Sequence, residues 1–568
     1  MTDLLDSARH WIAGDPDPET RAELERQVEN GDLTALARSM GAPLAFGTAG
    51  IRGEVGPGSG RMNRATVIRV TAGLADYLDE SQRGSGPEPV VIGFDARPDS
   101  RTFAQDAAGV LAAAGVRVVF FPEVTPTPLV AFAAKILNSP AGIVVTASHN
   151  PPADNGYKVY GANAAQIIPP VDTLISEAIQ RIGHAIEVPR VEDVFEGASP
   201  LVTEIGPDIL DRYRAEVDEA RPNPQGSDLK IVYTPIHGVG GHVLDEVFRQ
   251  AHHTGLIPVE QQWHPDGSFP TVAFPNPEEP GALDLALALA RDRDADLVLA
   301  NDPDADRLAA AVPSRHGWRM LSGNELGVLL GDYVLRYWDR DETPIVVNSV
   351  VSSPMLARLA SDHGAQHEVS LTGFKWIINA ALALEAQGAG RFAFGYEEAL
   401  GYSIGRTVRD KDGISAALVM SDLTAEVDGI GLGVLGRLHE LWERVGLWVS
   451  AQHSIHRPGE GGGQDLSDAV GRLASAPPDM VQGMPVLGVT DFRTGGEGRP
   501  FWLGEQDLVE LDLGEPGRIL VRPSGTEPKL KIYVDLCGEV GEDPEESHDR
   551  LVAEAELLAV AVGEGLGL

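Results

Sequence analysis

The stretch that decides the fold is Val144-Val145-Thr146-Ala147-Ser148-His149-Asn150-Pro151-Pro152. An apolar run from Ala141 to Val145 ends abruptly in a hydroxyl, an imidazole and an amide, and the two prolines then prevent the strand from continuing. We therefore expect Ser148 on a loop at the carboxyl end of a strand. Ligands bind at such ends in open α/β sheets, because the loops that leave them converge on one crevice.

Two other interpretations of this loop were weighed. A serine hydrolase needs a histidine aimed at the serine oxygen with an acid behind it. Adjacent residues in an extended chain point to opposite sides, which argues against Ser148 and His149 as such a pair, and no Gly-x-Ser-x-Gly elbow surrounds Ser148. The second interpretation is an ordinary turn in which Ser148 and Asn150 only satisfy backbone groups.

Composition bounds the class of protein. The chain has 568 residues, 43% of them hydrophobic, which is enough for several cores and predicts about three or four domains. Its formal net charge of −39 argues against nucleic acid or an anionic membrane as a partner. The single cysteine, Cys537, excludes an intrachain disulfide, the N-terminus is acidic, and no apolar run reaches membrane-spanning length. We expect a soluble cytoplasmic protein that binds small molecules; its oligomeric state stays open.

The first 60 residues contain two features. Residues 1–40 predict short amphipathic helices broken at Asp15-Pro16-Asp17-Pro18, where Asp17 can cap the helix that follows. The stretch Phe46-Gly47-Thr48-Ala49-Gly50-Ile51-Arg52-Gly53 then offers glycines that let backbone amides approach a ligand, and Arg52 as a bidentate anion contact. Glycine-rich turns are also common without any ligand.

The middle of the chain repeats one strand-helix pattern three times. Strands that alternate with helices imply parallel sheets with right-handed crossovers. The predicted strands are Pro89 to Phe94, Val116 to Phe121 and Ala141 to Val145; Lys230 to Tyr233, Leu256 to Gln261 and Ala295 to Ala300; and Pro344 to Asn348, Gln366 to Leu371 and Arg391 to Phe394.

In each repeat the loop after the last strand is polar: it contains Ser148, then Asn301 to Arg307, then Gly395 to Glu398. Equivalent loops of three similar domains could face one shared cleft. Past about residue 440 the pattern changes to short strands between glycine-rich loops, which predicts a C-terminal α+β domain. The predicted fold is therefore α/β, with three similar mixed domains with parallel-rich sheets and a fourth α+β domain around a central cleft.

Asp302, Asp304 and Asp306 alternate along the chain, so in an extended loop all three carboxylates can point to one side, as a hard divalent cation requires. An EF-hand would need glycine at the sixth position and glutamate at the twelfth, where this chain has Arg307 and Pro313. A solvated acidic turn is the alternative. The buried strand before the loop favours metal, and Mg²⁺ fits best because it binds few carboxylates and keeps a position for a phosphate oxygen.

A second cluster suits phosphate. Arg522, Ser524, Gly525 and Thr526 follow a predicted strand and provide a planar cation, two hydroxyls and exposed backbone amides. The alternative is an ordinary Ser-Gly turn. Thr372-Gly373-Phe374-Lys375 and Glu397-Glu398 add a cation and carboxylates suited to sugar hydroxyls.

Together these motifs resemble the α-D-phosphohexomutase superfamily, the phosphoglucomutase and phosphomannomutase enzymes. The resemblance covers nearly the whole chain, in order, and the Thr-Ala-Ser-His-Asn-Pro and Asp-Pro-Asp-Ala-Asp-Arg strings are its most specific parts. It implies four domains around a central cleft, a phosphoserine at Ser148, and Mg²⁺ held by three aspartates and a phosphoserine oxygen.

The resemblance also implies roles for individual residues. The catalytic candidates are Ser148, His149, Arg52, Lys158 and Lys411, the last as general acid/base. The metal ligands are Asp302, Asp304, Asp306 and Ser148. The substrate-binding candidates are Arg307, Gly373, Lys375, Glu397, Arg522, Ser524, Gly525 and Thr526.

One loop departs from the family pattern. Many members have Glu-x-Ser in the sugar loop, whereas here Glu397 is followed by Glu398 and Ala399. In this respect the chain looks closer to the long branch that includes phosphopentomutase-like members. The departure affects the identity of the sugar and leaves the reaction unchanged.

The expected reaction is therefore phosphosugar mutation between the 1- and 6-positions of a hexose phosphate, glucose 1-phosphate to glucose 6-phosphate first, through an enzyme phosphoserine and a sugar bisphosphate. Mannose and pentose phosphates are alternatives with the same chemistry. A phosphoserine-dependent phosphatase and a non-catalytic sugar-phosphate sensor are the rivals from other classes. The expected domains are 1–205, 206–318, 319–442 and 443–568, which carry the phosphoserine, metal, sugar and phosphate loops respectively.

Overall fold

The computed structural model describes residues 2–44, 50–81, 86–457, 462–524 and 529–567. The chain divides into two compact units, Met1–Pro313 with Ser403–Ser421, and Ser314–Tyr402 with Asp422–Leu568. Both units contain sheets covered by helices, so the predicted α/β class is confirmed. Among the described helices, none combines the length and the apolar character needed to cross a membrane.

The elements of the first unit alternate as the sequence predicts. Its helices are α1 (Thr2–Gly14), α2 (Pro18–Glu29), α3 (Leu33–Met40), α4 (Arg64–Glu80), α5 (Ser100–Ala113), α6 (Thr127–Ile136), α7 (Val171–Arg181), α8 (Asp208–Glu219), α9 (Gly241–Gln250), α10 (Glu260–Trp263) and α11 (Asp284–Arg293). Its strands are β1 (Ile51–Glu54), β2 (Val90–Phe94), β3 (Val118–Phe120), β4 (Gly142–Val145), β5 (Asp154–Tyr160), β6 (Val202–Glu204), β7 (Ile231–Thr234), β8 (Leu256–Pro258), β9 (Leu297–Ala300) and β10 (Ala309–Ser314).

The N-terminal helices break where the prolines predict. Asp17 is the N-cap of α2 and accepts the backbone N–H of Glu19 at 2.9 Å, while Pro18 stands in the first helical turn, where no donor is needed. A small core of Ala8, Leu24 and neighbouring apolar residues joins α1, α2 and α3. The N-terminal helices thus have an apolar cluster of their own.

The first sheet runs in the order β1-β5-β4-β2-β3-β6. Strands β4, β2, β3 and β6 are parallel, β5 pairs antiparallel with β4, and β1 pairs antiparallel with β5 at the edge of the sheet. The central strands are buried along their whole length, which their continuous apolar sequence predicts. The loop with Ser148 leaves the carboxyl end of β4 and returns through β5, so it lies between two neighbouring strands.

The second sheet has the order β10-β9-β7-β8 within this unit, with β8, β7 and β9 parallel. The aspartate loop leaves the carboxyl end of β9, as predicted. One strand prediction was too long. The strand predicted to extend to Gln261 ends at Pro258, because proline cannot donate to a sheet ladder, and the chain then forms the short helix α10.

The second unit begins with β11 (Gly317–Met320), α12 (Gly323–Arg336), β12 (Pro344–Ser349), α13 (Met355–Asp362), β13 (Gln366–Ser370), α14 (Phe374–Ala386), β14 (Arg391–Glu397), β15 (Gly401–Ile404) and α15 (Gly413–Gly429). Strands β10 and β15 and helix α15 contain residues of both units. Strands β13, β12 and β14 are parallel neighbours. Strand β14 runs through Glu397 rather than ending at Phe394, so most of the predicted polar loop belongs to the strand.

The unit ends with α16 (Gly433–Val445), β16 (Leu447–His456), α17 (Gly462–Ser475), β17 (Met480–Val481), β18 (Met484–Pro485), β19 (Gly488–Asp491), β20 (Val509–Asp512), β21 (Gly517–Pro523), β22 (Lys529–Gly538) and α18 (Pro544–Gly565). An antiparallel sheet in the order β16-β22-β21-β20-β19 confirms the predicted change of architecture after residue 440. Helix α18 packs on β16 and β22.

Candidate active site

Ser148 lies at the point where the first two predicted loops meet. It is 2% exposed, and its Oγ donates a hydrogen bond to Asp302 Oδ2 at 2.7 Å. Its φ of +52° is left-handed, a conformation that a residue with a Cβ adopts at an energetic cost. The side chain of Thr146 supports the turn by accepting the Ser148 N–H at 2.8 Å. The structure therefore brings together a hydroxyl and a carboxylate that are 154 residues apart in the chain.

His149 lies closer to Ser148 than the sequence argument predicts. Its Nδ1 is 3.2 Å from Ser148 Oγ, because the left-handed Ser148 turns the two side chains to the same side. The expectation that they diverge was wrong. Asp302 Oδ2 is 3.8 Å from the same Nδ1, so the acid does not lie behind the far ring nitrogen as in a hydrolase triad. Burial, with Arg307 and Arg52 nearby, lowers the pKa of His149 well below its ordinary value and keeps the ring neutral.

The three aspartates of the loop after β9 form a buried cluster. One carboxylate oxygen from each of Asp302, Asp304 and Asp306 lies within 4.8 Å of the others. Asp302 Oδ1 also accepts the backbone N–H of Arg307 at 3.0 Å, which fixes the loop. Asp304 Oδ1 and Asp306 Oδ1 are buried without a hydrogen-bond partner in the part of the chain that is described. Buried carboxylate oxygens left without a donor fit a divalent cation, and this donor set suits a hard ion.

Two lysines lie against these carboxylates. Lys158 Nζ, on β5, is 2.6 Å from Asp304 Oδ2 and 3.0 Å from Asp306 Oδ2. Lys411 Nζ is 3.3 Å from Asp306 Oδ2. Burial alone would lower the pKa of Lys158, but Asp304 and Asp306 raise it above its ordinary value. Burial and Asp304 would raise the pKa of Asp306, but the two lysines hold it below its ordinary value. The cluster therefore places a charged ammonium, that of Lys158, against a charged carboxylate, that of Asp306.

Two arginines of the first unit are the remaining candidate site residues there. Arg52, on β1, donates from Nη1 to Asn150 Oδ1 at 2.8 Å. Burial lowers the pKa of Arg52, and Asp304 acts in the opposite direction. Arg307 Nε lies 3.9 Å from Asp302 Oδ2. The structure thus brings together all the first-unit candidates that the sequence singles out.

Two tyrosines that were not predicted from the sequence hold the Lys411 loop. Tyr160 OH donates to Asp410 Oδ2 at 2.6 Å, and Tyr213 OH lies 3.0 Å from both carboxylate oxygens of Asp412. Burial raises the pKa of each tyrosine well above its ordinary value, so both phenols stay protonated donors. Lys411 is therefore flanked by two anchored aspartates. The sequence signal was present as Asp-Lys-Asp, but the partners are 199 or more residues away.

Arg97 was missed as well. It lies in Asp95-Ala96-Arg97, directly after β2, which is the neighbour of β4 in the sheet. Its guanidinium contacts the backbone of the Ser148 loop. A charged pair at the carboxyl end of a central parallel strand was a usable signal, since such ends meet at one edge.

The second unit holds the remaining candidates. Arg522 Nη1 donates to Thr372 Oγ1 at 3.2 Å, which joins the loop after β13 to the end of β21. Lys375 and Glu397 are both buried, and Gly373 has a φ of +107°, which favours glycine. The position of Ser524 does not by itself assign a role to this residue. The backbone N–H of Ser524 donates to Lys529 O at 2.7 Å. Gly525 and Thr526 lie outside the described residues, as do residues 46–49 of the early glycine-rich stretch.

Sequence models of four family domains match this chain in order. They are the alpha/beta/alpha domains I, II and III and the C-terminal domain of phosphoglucomutase/phosphomannomutase, at residues 43–185, 211–316, 322–444 and 502–541. The chain belongs to the phosphoglucomutase/phosphomannomutase family. The resemblance to the α-D-phosphohexomutases is confirmed, and so is the four-domain α/β architecture.

Curated relatives agree with this membership. A protein named "Probable phosphomannomutase" from Haemophilus influenzae is 39% identical over 87% of this chain and 96% of its own length. The phosphopentomutase of Mus musculus is 36% identical over 94% of this chain and 90% of its own length. A solved phosphoglucomutase of Paramecium, pp63/parafusin, covers 92% of this chain and 96% of its own with a TM-score of 0.71; at 17% identity it shows the shared fold. This family member is accordingly a phosphosugar mutase, an isomerase of the phosphotransferase type that acts on small sugar phosphates.

Proposed function

We propose that this phosphosugar mutase carries its phosphoryl group on Ser148 and interconverts glucose 1-phosphate and glucose 6-phosphate as its first reaction. The observation that carries the proposal is the 2.7 Å contact of Ser148 Oγ with Asp302, in a buried cluster of three carboxylates and two lysines. A hydroxyl in this setting has no structural need for so many ionic neighbours. A phosphate dianion there has cations on one side and a metal-binding group on the other.

Asp302, Asp304 and Asp306 are the proposed Mg²⁺ ligands, with an oxygen of the Ser148 phosphate. When bound, Mg²⁺ neutralises charge that develops on the phosphoryl oxygens. Among the described residues, Asp304 Oδ1 and Asp306 Oδ1 have no hydrogen-bond partner, which supports this assignment.

The reaction transfers one phosphoryl group in each direction. The bond between phosphorus and Ser148 Oγ breaks as the free hydroxyl of the sugar monophosphate forms a new bond to phosphorus, and the serine leaves as an alkoxide that takes up a proton. Lys411, the proposed general acid/base, passes its ammonium proton to the Ser148 alkoxide and takes up the proton of the sugar hydroxyl in its place. The resulting sugar bisphosphate then returns its other phosphate to Ser148, and a sugar bisphosphate also serves as the activator that loads the enzyme.

Neighbouring groups position these atoms. His149, kept neutral by burial, is proposed to donate from Nδ1–H to the Ser148 oxygen at 3.2 Å, because the serine proton goes to Asp302 Oδ2. Arg52 and Lys158 are proposed to attract the phosphoryl oxygens and the reacting hydroxyl, and Arg307 to contact the phosphoserine. Such transfers depend mainly on positioning and electrostatics, so fixed cations account for much of the rate.

The second unit is proposed to bind the rest of the substrate. Arg522, Ser524, Gly525 and Thr526 bind its existing phosphate, while Gly373, Lys375 and Glu397 contact the sugar. Glu397 is proposed for the sugar hydroxyls because it matches the glutamate of the family's sugar loop, and Glu398 Oε2 accepts from Ser349 Oγ at 3.1 Å.

We also propose the domain boundaries 1–205, 206–318, 319–442 and 443–568. The four segments matched by the family domains support these limits, although the third match runs two residues past the proposed end.

A second candidate is pentose phosphate mutation between the 1- and 5-positions. The mouse phosphopentomutase, which matches 94% of this chain, favours it. The absence of the family's loop serine, replaced by Ala399, also removes one hydroxyl donor from the hexose site. Mannose 1-phosphate is a further competitor.

The experiment compares kcat/KM for glucose 1-phosphate, mannose 1-phosphate and ribose 1-phosphate in the wild type and in Ala399→Ser. We expect glucose 1-phosphate to be preferred. A preference for ribose 1-phosphate of more than about tenfold, roughly 1.4 kcal/mol in transition-state binding, would replace glucose by the pentose and keep the mutase chemistry. Release of inorganic phosphate in place of isomerised sugar would indicate a phosphatase.

Intact mass and peptide mapping test the phosphoserine. We expect phosphate on Ser148 in a fraction of the resting protein, and Ser148→Ala to be inactive. Phosphate on another residue, together with a fully active Ser148→Ala, would refute the proposal.

A further inference from the structure

The guanidinium of Arg97 binds the backbone of the Ser148 loop at four points. Nη1 donates to the carbonyl oxygens of Pro151 at 2.6 Å and Asp154 at 2.8 Å. Nη2 donates to those of Ser148 at 2.8 Å and Asn150 at 2.7 Å. Four carbonyls that point at one place repel one another, and a buried cation offsets that repulsion. The loop conformation therefore depends on a charge at this position.

A second set of contacts fixes Arg97 itself. Its Nε lies 3.2 Å from Asp95 Oδ2, and its side chain is 1% exposed. Asp95 also accepts from Ser100 Oγ at 2.6 Å and from Thr146 Oγ1 at 2.7 Å. Thr146 Oγ1 in turn accepts the Ser148 N–H. One network therefore joins the end of β2 to both the N–H and the carbonyl of Ser148.

A segment of the second sheet's domain covers the guanidinium. The ring centroid of Phe269 is 5.1 Å from Arg97 Cζ, a cation–π distance. The backbone beside it comes close, because a Cβ at Gly267 would lie 2.4 Å from Ala96 O and Arg97 Cα. Water is thus kept from the donors, which strengthens each hydrogen bond.

This arrangement matters because the charge on Ser148 changes during the proposed reaction. The residue alternates between a hydroxyl and a phosphate dianion next to charged groups, and its left-handed φ of +52° is maintained at an energetic cost. A loop held only by its own turn would shift with each change of charge. Arg97 keeps the same four bonds in either form, since they all go to backbone oxygens.

We propose that Arg97 is a positioning residue for phosphoryl transfer, which holds Ser148 Oγ at one place relative to Asp302 in both the free and the phosphorylated enzyme. This inference rests on the proposed function, because it assumes that Ser148 carries the phosphoryl group. Arg97 does not need to contact the substrate. Its effect is therefore on kcat more than on KM.

The test uses Arg97→Lys, with Arg64→Lys as the matched control. Lysine keeps the charge but loses the planar fork, and one ammonium cannot bind four carbonyls in that geometry. Arg64 is also a bidentate arginine of the first sheet's domain, bonded to Asp106 at 2.7 and 2.8 Å on α5, and it makes none of the contacts to the Ser148 loop. Each variant thus removes one arginine fork.

We expect Arg97→Lys to lower kcat about 100-fold, the loss typical of a displacement near 1 Å, and to change KM less than about threefold. Arg64→Lys should keep kcat within about twofold of the wild type, because Arg64 bonds to Asp106 and not to the Ser148 loop. Equal kcat values for the two variants would overturn the inference.

A loading experiment separates positioning from a general loss of structure. Each protein is incubated with glucose 1,6-bisphosphate, and the rate of phosphate appearance on Ser148 is followed by mass spectrometry. Arg97→Lys should load at least tenfold more slowly than Arg64→Lys at equal thermal stability. Equal loading rates would show that Arg97 is only structural.

A milder variant covers the case in which Arg97→Lys does not fold. Thr146→Val removes the hydroxyl that joins Asp95 to the Ser148 N–H and keeps the side-chain volume. We expect about a tenfold lower kcat, the effect of one hydrogen bond of about 1.4 kcal/mol. Full kcat in this variant would overturn the inference. An active Ser148→Ala would instead refute the proposed function, so the two failures are distinguishable.

Discussion

Lys158→Met tests whether the ammonium of Lys158 stabilises the aspartate cluster when no metal is bound. Lys158 Nζ lies 2.6 Å from Asp304 and 3.0 Å from Asp306, and all three side chains are at most 2% exposed. Methionine has a similar length and remains apolar, so the substitution removes the charge and leaves the volume nearly unchanged. Two buried carboxylates then lose a shared cation.

The magnitude follows from two limits. Removal of one partner from a buried ion pair costs about 3–5 kcal/mol. The protein can also respond by protonating one carboxyl. This costs about 1.36 kcal/mol for each pH unit between an ordinary pKa near 3.9 and pH 7, or roughly 4 kcal/mol in total. The smaller cost applies, so we expect Lys158→Met to lose about 3–4 kcal/mol of unfolding free energy in EDTA.

Mg²⁺ should restore much of this loss. A ligand that binds only the folded state adds about 2.7 kcal/mol at a concentration of 100 times its Kd. Because the variant lacks the Lys158 ammonium, which repels the ion, the stabilisation by Mg²⁺ should be larger in Lys158→Met than in the wild type. Urea unfolding in EDTA and in saturating MgCl₂ measures both quantities.

Lys135→Met is the control, because it makes the same side-chain change at a lysine that pairs with Glu216 at 3.3 Å and lies outside the cluster. Its stability should not depend on Mg²⁺ beyond the wild-type response. The reasoning is refuted if Lys158→Met is as stable as the wild type in EDTA, or if Mg²⁺ stabilises Lys158→Met and Lys135→Met equally.

Three further predictions concern other parts of the molecule. Burial lowers the pKa of His367 from 6.5 to about 4. Between these two pH values the unfolded chain binds a proton at this residue and the folded protein does not. The contribution of His367 to the unfolding free energy is therefore present above pH 6.5 and is lost as the pH falls to about 4. His367→Gln should remove up to about 3 kcal/mol of that pH dependence, and parallel pH profiles of unfolding free energy for variant and wild type would contradict it. Tyr160→Phe should cost about 1.5–3 kcal/mol in urea unfolding, because Asp410 loses a buried charged hydrogen bond, and a cost below about 0.5 kcal/mol would show that this bond is unimportant. Gly156→Ala should lower the melting temperature and kcat together, because its Cβ would lie 2.4 Å from Thr146 O, and an unchanged melting temperature would show that the backbone can yield there.

The order of elements and the class of fold could be predicted from the sequence, because both depend on local patterns. Apolar runs of four to six residues between helical stretches predict buried parallel strands, and β2, β4 and β9 lie where those runs do. The predictions that were wrong concern the ends of strands. The strand that starts at Leu256 stops at Pro258, and β14 continues to Glu397, because neighbouring strands rather than local sequence decide where a ladder ends.

The aspartates and Ser148 could likewise be singled out, since each follows directly after an apolar strand. Local sequence also predicted that Asp302, Asp304 and Asp306 can share one side of their loop, and the structure brings their carboxylates within 4.8 Å. The conformation of Ser148 was not predictable in this way. A left-handed residue has no distinct sequence signature unless it is glycine, and this single dihedral angle decides that His149 turns toward the serine oxygen.

Local sequence therefore identifies the chemical groups of the site and the strand ends that carry them. Their partners follow from the fold: Lys158 lies against Asp304, 146 residues away, and Arg97 against the carbonyl of Ser148, 51 residues away. The physical reason is that side-chain patterns report burial, a local property, whereas a hydrogen bond depends on the relative position of two backbones. Sheet order and crossovers set that position, and many distant contacts together stabilise it.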